Sequence, residues 1–238
     1  IFSDGERFFK EVSLGKALHL LRNIPNSRIF IYMILGILAV SITSLYDFAW
    51  FKFNPMEIKK TEVFQTAFIS NSLNNIAGFG GIGGAVVRHL FYKNDRINDK
   101  EIIKINILLL PSFFTGLSLL MWFNIFRFRD LHYIAKSYPL VYVVIFMFSL
   151  YAFIYLFSEF IPIKYIKKKL EFIGFNSNIK IKFIMMAVSL IDWLAAALLI
   201  WFLGNEVRNG LNFYEVLFFF TVAVSIGIIS PIPAGIGV

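Results

Sequence analysis

The sequence predicts an all-α, polytopic integral membrane protein with broken or re-entrant helices and an internal repeat. Three observations carry that expectation: an apolar composition, four unbroken stretches of spanning length, and two further apolar stretches interrupted by glycine or proline. Of 238 residues, 58% are hydrophobic and 18% aromatic against 16% charged, and the mean hydropathy is +0.71. A soluble domain of this size could not keep so much apolar side chain in water. The formal net charge of +8 then belongs to loops, where it points to topology and anionic headgroups before nucleic acid.

Taken in chain order, residues 1–28 alternate charged and apolar side chains without the compact apolar core of a cleavable signal. The chain starts at Ile1 rather than Met, and it reads as beginning inside a longer protein. A helix needs about 20 apolar residues to cross the hydrocarbon. Ile29–Phe51, Ile105–Phe126, Leu140–Ile161 and Phe183–Leu203 meet that length cleanly. The stretch from Glu62 to Tyr92 and the stretch from Glu215 to the terminal "SPIPAGIGV" are apolar but interrupted.

Lys and Arg near spans concentrate on the cytoplasmic side. Segments 1–28, 88–104 and 162–182 hold 16 of the 23 Lys and Arg and read as cytoplasmic, which requires 62–92 to make a net crossing. A pure re-entrant hairpin would instead put the basic residues of 88–104 outside.

The chain also resembles itself. "SLYDF" (Ser44–Phe48) and "SLIDW" (Ser189–Trp193) lie in two clean spans, and each precedes an acidic residue, Glu62 or Glu215, that opens an interrupted stretch. From those acidic residues onward, Gly78 aligns with Pro231 without a gap. This gives one repeat unit over about 29–104 and a second over about 180–238, parallel or inverted. Paired Gly/Pro interruptions in two halves of a membrane chain point to a binding site near the midplane.

Irregular backbone at membrane depth survives only inside protein or beside a wet cavity, because each unpaired group costs several kcal/mol in lipid. Gly78, Gly80, Gly81, Gly83 and Gly84 permit close backbone approach and free N–H groups for an anion. Pro231 and Pro233 remove donors, and Gly235 follows them in the second break. The glycines also suit plain helix packing. Asn74 and Asn75 need partners in an apolar stretch, either as caps of a half-helix or on a polar ligand.

Asp47 and Asp192 occupy matched positions inside spans, where an unpaired carboxylate costs at least about 2.5 kcal/mol. They read either as interhelical pairing groups or as a substrate or proton site. Arg88 follows the first break; it can hold a phosphate through two parallel hydrogen bonds or mark the membrane boundary. Glu62 and Glu215 suit helix starts. His19, His89 and His132 lack ligand spacing, and there is no cysteine, so neither a metal nor a cofactor is expected. No Walker sequence, nucleophile elbow or triad is present, and no catalytic residue is assigned.

In order along the chain, "SLYDF", "FISNSLNNIAGFGGIGGAVVRHLFYKND", "TGLSLL", "VSLIDWLAAALLIWF" and "SIGIISPIPAGIG" resemble the flippase region of the bacterial multiple peptide resistance factor family, MprF, and the related lysylphosphatidylglycerol synthase transmembrane family. The likeness covers most of Ile29 to Val238. It implies a multi-pass protein of the bacterial cytoplasmic membrane, in which 1–238 is part of a domain that moves aminoacylated phosphatidylglycerol to the outer leaflet. A cytosolic synthase domain of the same polypeptide would lie outside this chain.

Partners implied are aminoacylated and anionic lipids, the bilayer and that synthase domain, with a homo-oligomer left open and no nucleic acid for this segment. The family's functional Asp and Arg fall on Asp47 and Arg88. Its later acidic residue, often Glu, is Asp192, and Ala234 replaces a usual glycine of the second break. Two other readings stay open: a secondary transporter of a soluble anion, and a membrane anchor for the synthase.

Overall fold

The computed structural model describes residues 24–77, 82–93, 97–126, 140–158 and 178–229. Among them are seven helices and no strand: α1 (Asn26–Phe53), α2 (Lys60–Ala77), α3 (Ile82–Tyr92), α4 (Asp99–Phe126), α5 (Leu140–Phe157), α6 (Ile179–Val207) and α7 (Phe213–Ile229). The chain is therefore an all-α, polytopic membrane protein. Helices α1, α4 and α6 are long and apolar enough to span a bilayer. At about 1.5 Å per residue, their 28 or 29 residues exceed the roughly 30 Å of hydrocarbon.

Each spanning helix coincides with a clean apolar stretch, extended by polar residues at its ends. Asparagine side chains cap the first turn of three of the seven helices. The Asn98 side chain accepts the Glu101 N–H at 3.2 Å, Asn178 accepts from Lys180 at 2.9 Å, and Asn212 accepts from Tyr214 at 2.9 Å. These bonds satisfy donors that a helix's first turn leaves open.

Side-chain contacts set the directions. Arg28 meets Glu206 and Tyr46 meets Asp192, so α1 and α6 run antiparallel. Leu120 shares a cluster with Ala197, while Leu109 shares another with Met185; α4 therefore runs parallel to α6. Ser112 bonds Tyr155 and Trp122 bonds the Ser149 carbonyl, which makes α5 antiparallel to α4. The helices bearing "SLYDF" and "SLIDW" thus run in opposite directions.

The outside is apolar and much of the inside is polar. Phe30, Met33, Ile37 and Leu38 of α1, with Phe146 and Met147 of α5, are exposed, whereas Ser112, Thr115, Ser118, Ser189 and Thr221 are buried. Lipid supplies no hydrophobic force between helices, so small residues and interhelical hydrogen bonds take over. The clearest case surrounds Pro111, inside α4. Proline removes a donor and disturbs the turn before it, and α6 meets this part of α4. Gly116 N–H donates to Ser189 Oγ at 2.8 Å, and Ser189 Oγ and Trp193 Nε1 donate to the Phe113 carbonyl at 2.6 and 2.8 Å. A Cβ on Gly116 would overlap the Ser189 backbone, so glycine is what lets these helices touch.

One expectation is overturned. Gly84 N–H donates to Asn74 Oδ1 at 2.7 Å, and Tyr92 OH donates to the Val63 carbonyl at 3.2 Å. Later residues of α3 face earlier residues of α2, so the two form an antiparallel hairpin and α3 returns to the end where α2 began. There is no net crossing over 62–92. Lys93, following α3, stands at the same end as the segment between α1 and α2, so the cytoplasmic reading of 88–104, which required the crossing, loses its basis. Charge counts could not reveal this, because the hairpin is closed by an amide cap and a close glycine contact, neither of which carries charge.

Candidate functional site

Asp47 lies near the end of α1 and Arg88 in the second half of α3. The hairpin brings them together. Arg88 Nε donates to Asp47 Oδ1 and its NH2 group to Asp47 Oδ2, both at 2.9 Å. Asp47 is 0% and Arg88 3% exposed. This is a buried fork-to-fork pair, the strongest geometry the two groups have. Two of the three remaining guanidinium hydrogens reach amides: NH2 donates to Asn71 Oδ1 of α2 at 3.1 Å and NH1 to Asn106 Oδ1 of α4 at 3.4 Å. Asn71 in turn donates to the Thr43 carbonyl at 3.2 Å, and Asn106 to the Ile102 carbonyl at 2.9 Å. One arginine thereby ties four helices.

Among the described residues, three buried polar atoms nearby in sequence have no hydrogen-bond partner: Ser44 Oγ, Trp50 Nε1 and Ser70 Oγ. Ser44 and Trp50 lie three residues to either side of Asp47 in α1, and Ser70 precedes Asn71 in α2. All three can donate a hydrogen bond. Buried polar groups are seldom left unmade, so their unused capacity beside the ion pair suits a polar guest.

Asp192 sits elsewhere. It lies midway along α6, is 9% exposed, and its Oδ2 accepts from Tyr46 OH at 3.4 Å. Tyr46 and Asp47 are neighbours in sequence but serve different partners, because successive residues of a helix point about 100° apart. The two aspartates therefore occupy adjacent sites, one neutralised by arginine and one beside a hydroxyl.

The other expected residues divide. Asn74 caps α3 through Gly84, which was one of its two open readings; Asn75 is exposed. Gly83 and Gly84, expected in the interruption, form the first turn of α3 instead. A Cβ on Gly84 would lie 2.8 Å from the Ser70 carbonyl oxygen and collide with the Asn74 amide, so that position needs glycine for close packing. Gly78, Gly80, Gly81, Pro231, Pro233 and Gly235 lie outside the described residues. Among the described residues no cluster of three or more metal-ligating side chains occurs.

Asn71, Asn106 and Tyr46 were missed. Asn71 had a signal, since it precedes Asn74 by three residues and shares its helix face. Asn106 had none that local sequence could supply; Tyr46 lies within "SLYDF", but nothing in that motif says that it faces Asp192.

Over 196 residues, 82% of the chain, the sequence is 33% identical to a protein named phosphatidylglycerol lysyltransferase in Staphylococcus aureus (strain COL). A protein of the same name in Bacillus subtilis (strain 168) is 28% identical over 229 residues, 95% of the chain. The chain spans 22% and 26% of the length of these relatives. No protein-family model and no solved structure matches it.

Proposed function

We propose that this chain, which belongs to the MprF family of bacterial phosphatidylglycerol lysyltransferases, lines the route by which aminoacylated phosphatidylglycerol, typically the lysyl form, reaches the outer leaflet of the cytoplasmic membrane. The observation that carries the reading is the Arg88–Asp47 pair, buried within a span and held on one side by a re-entrant hairpin. A lysylphosphatidylglycerol headgroup has one phosphate and two ammonium groups. Arg88 matches the phosphate with the same two-pronged geometry it now gives Asp47, and Asp47 matches an ammonium.

The mechanism is an exchange of ion pairs. In the resting protein Arg88 and Asp47 neutralise each other. When the headgroup enters, phosphate takes the guanidinium and ammonium takes the carboxylate. Breaking a buried pair without replacement costs about 3–5 kcal/mol, and a headgroup carrying both signs avoids that cost where a simple anion or cation would not. Ser44, Ser70 and Trp50 donors supply further contacts to phosphate oxygens, while the acyl chains stay against the apolar outer face. A headgroup bearing both charges favours this reading over a soluble anion as cargo.

Exposure of a lysyl lipid makes the outer surface less negative, which weakens the attraction of cationic antimicrobial peptides. The synthase that makes the lipid belongs, on this reading, to the remainder of the polypeptide. Arg88→Ala and Asp47→Ala in the full polypeptide are expected to lower outer-leaflet lysyl lipid, read with an amine-reactive probe on intact cells, while total lysyl lipid is unchanged. Equal outer-leaflet labelling in wild type and both variants sinks the reading.

A further inference from the structure

The two intramembrane aspartates are not equivalent, and the difference bears on how translocation is driven. Asp192 lies at the fourteenth residue of the 29 in α6, about 20 Å from either end at 1.5 Å per residue. Its described polar partner is the Tyr46 hydroxyl, at 3.4 Å, longer than a strong hydrogen bond.

The charged and titratable groups of the surrounding helices have the following described partners or places. On α1, Asp47 is held by Arg88. On α4, the residues meeting α6 here, Phe113 and Gly116, do not titrate. On α5, Tyr151 donates to the Pro111 carbonyl and Tyr155 bonds Ser112. On α6 itself, Lys182 lies ten residues earlier and donates to Ser158 Oγ at 2.9 Å. On α7, Phe220 packs on Trp193, and the ionisable Tyr214 and Glu215 stand at the helix start. Among the described residues no cation faces Asp192.

An ionised carboxylate alone at this depth costs at least about 2.5 kcal/mol. Asp192 must therefore hold a proton or an incoming cation, whereas Asp47 needs neither. We propose that Asp192 is an exchange site at which a proton and the ammonium of a lipid headgroup compete, so that translocation is a proton antiport. The inference rests on the lipid reading above. One carboxylate neutralises one positive charge, so the two occupants exclude each other. Ammonium arriving at the protonated carboxyl displaces its proton to water on the loading side, and a proton arriving from the outer side releases the ammonium there. With one phosphate and two ammonium groups the lysyl headgroup carries a single net positive charge; its outward passage against one inward proton is electroneutral.

The test uses the full polypeptide in vesicles of phosphatidylglycerol and lysylphosphatidylglycerol. A gradient of one pH unit is expected to enrich lysyl lipid about tenfold in the leaflet facing the acidic side, since one proton per lipid across one unit is a tenfold equilibrium factor. Clamping the membrane potential at different values should leave that ratio unchanged. Asp192→Asn should abolish the enrichment and Asp192→Glu should retain it.

A second measurement needs no transport: in vesicles without lysyl lipid, the infrared carbonyl band of a protonated carboxyl should titrate with pH and be missing in Asp192→Asn. Lipid movement that ignores the gradient, or a band unaltered by Asp192→Asn, overturns the exchange site and leaves the lipid reading standing. A titrating band with no lipid movement in wild type overturns the lipid reading, and the antiport with it.

Discussion

Arg88 binds partners from α1, α2 and α4 at once, and its removal strands a carboxylate that is wholly buried. Arg88→Ala should therefore cost about 3–5 kcal/mol of stability, seen as a large fall in the melting temperature of the detergent-purified protein. The double change Asp47→Asn with Arg88→Gln removes both charges and should recover much of that loss, without restoring outer-leaflet lipid. Recovery of both would make the pair a structural pin with no part in transport. Arg88→Lys keeps the charge but not the fork, and is expected to lie between wild type and Arg88→Ala in both measurements.

At the level of elements, Gly116 determines how closely α4 and α6 approach, and Gly36 does not limit any helix contact. Gly116→Ala places a methyl inside the Ser189 backbone of α6; overpacking of this kind costs about 1–3 kcal/mol, and no flexible side-chain end is there to yield. Gly36→Ala, in α1 with nothing near its Cβ position, should leave the melting temperature unchanged or raise it, because alanine is the better helix former by about 1 kcal/mol. Equal effects at the two positions would contradict the close α4–α6 contact. Gly116 shows the limit of reading a sequence: "TGLSLL" identifies a small residue in a span, but nothing local says which helix it meets.

The whole molecule turns on the hairpin of α2 and α3. Since the chain has no cysteine, single-cysteine variants give a clean topology test. Lys59→Cys and Lys93→Cys, both at exposed positions on the hairpin's open end, should react with an impermeant thiol reagent from the same side of the membrane. Asn209→Cys, between α6 and α7, should react from the opposite side. Labelling of residues 59 and 93 from opposite sides would restore the net crossing. At the end where α1 begins, Arg28 bonds Glu206 at 2.9 Å and Tyr32 donates to the same carboxylate, fastening α1 to α6 at the level of the headgroups.

The sequence by itself determined the helical class, three of the four clean spanning stretches and the presence of Asp47 and Asp192 as ionisable groups within apolar stretches, because burial of a carboxylate in lipid is costly enough to stand out against an apolar background. Only the tertiary structure decided that Arg88 faces Asp47 and not Asp192, that Asn71 and Asn106 complete its shell, and that α3 turns back. Those outcomes depend on which faces of separate helices meet, and that is set by hydrogen bonds and close contacts between residues 10 to 41 positions apart, for which no local pattern exists.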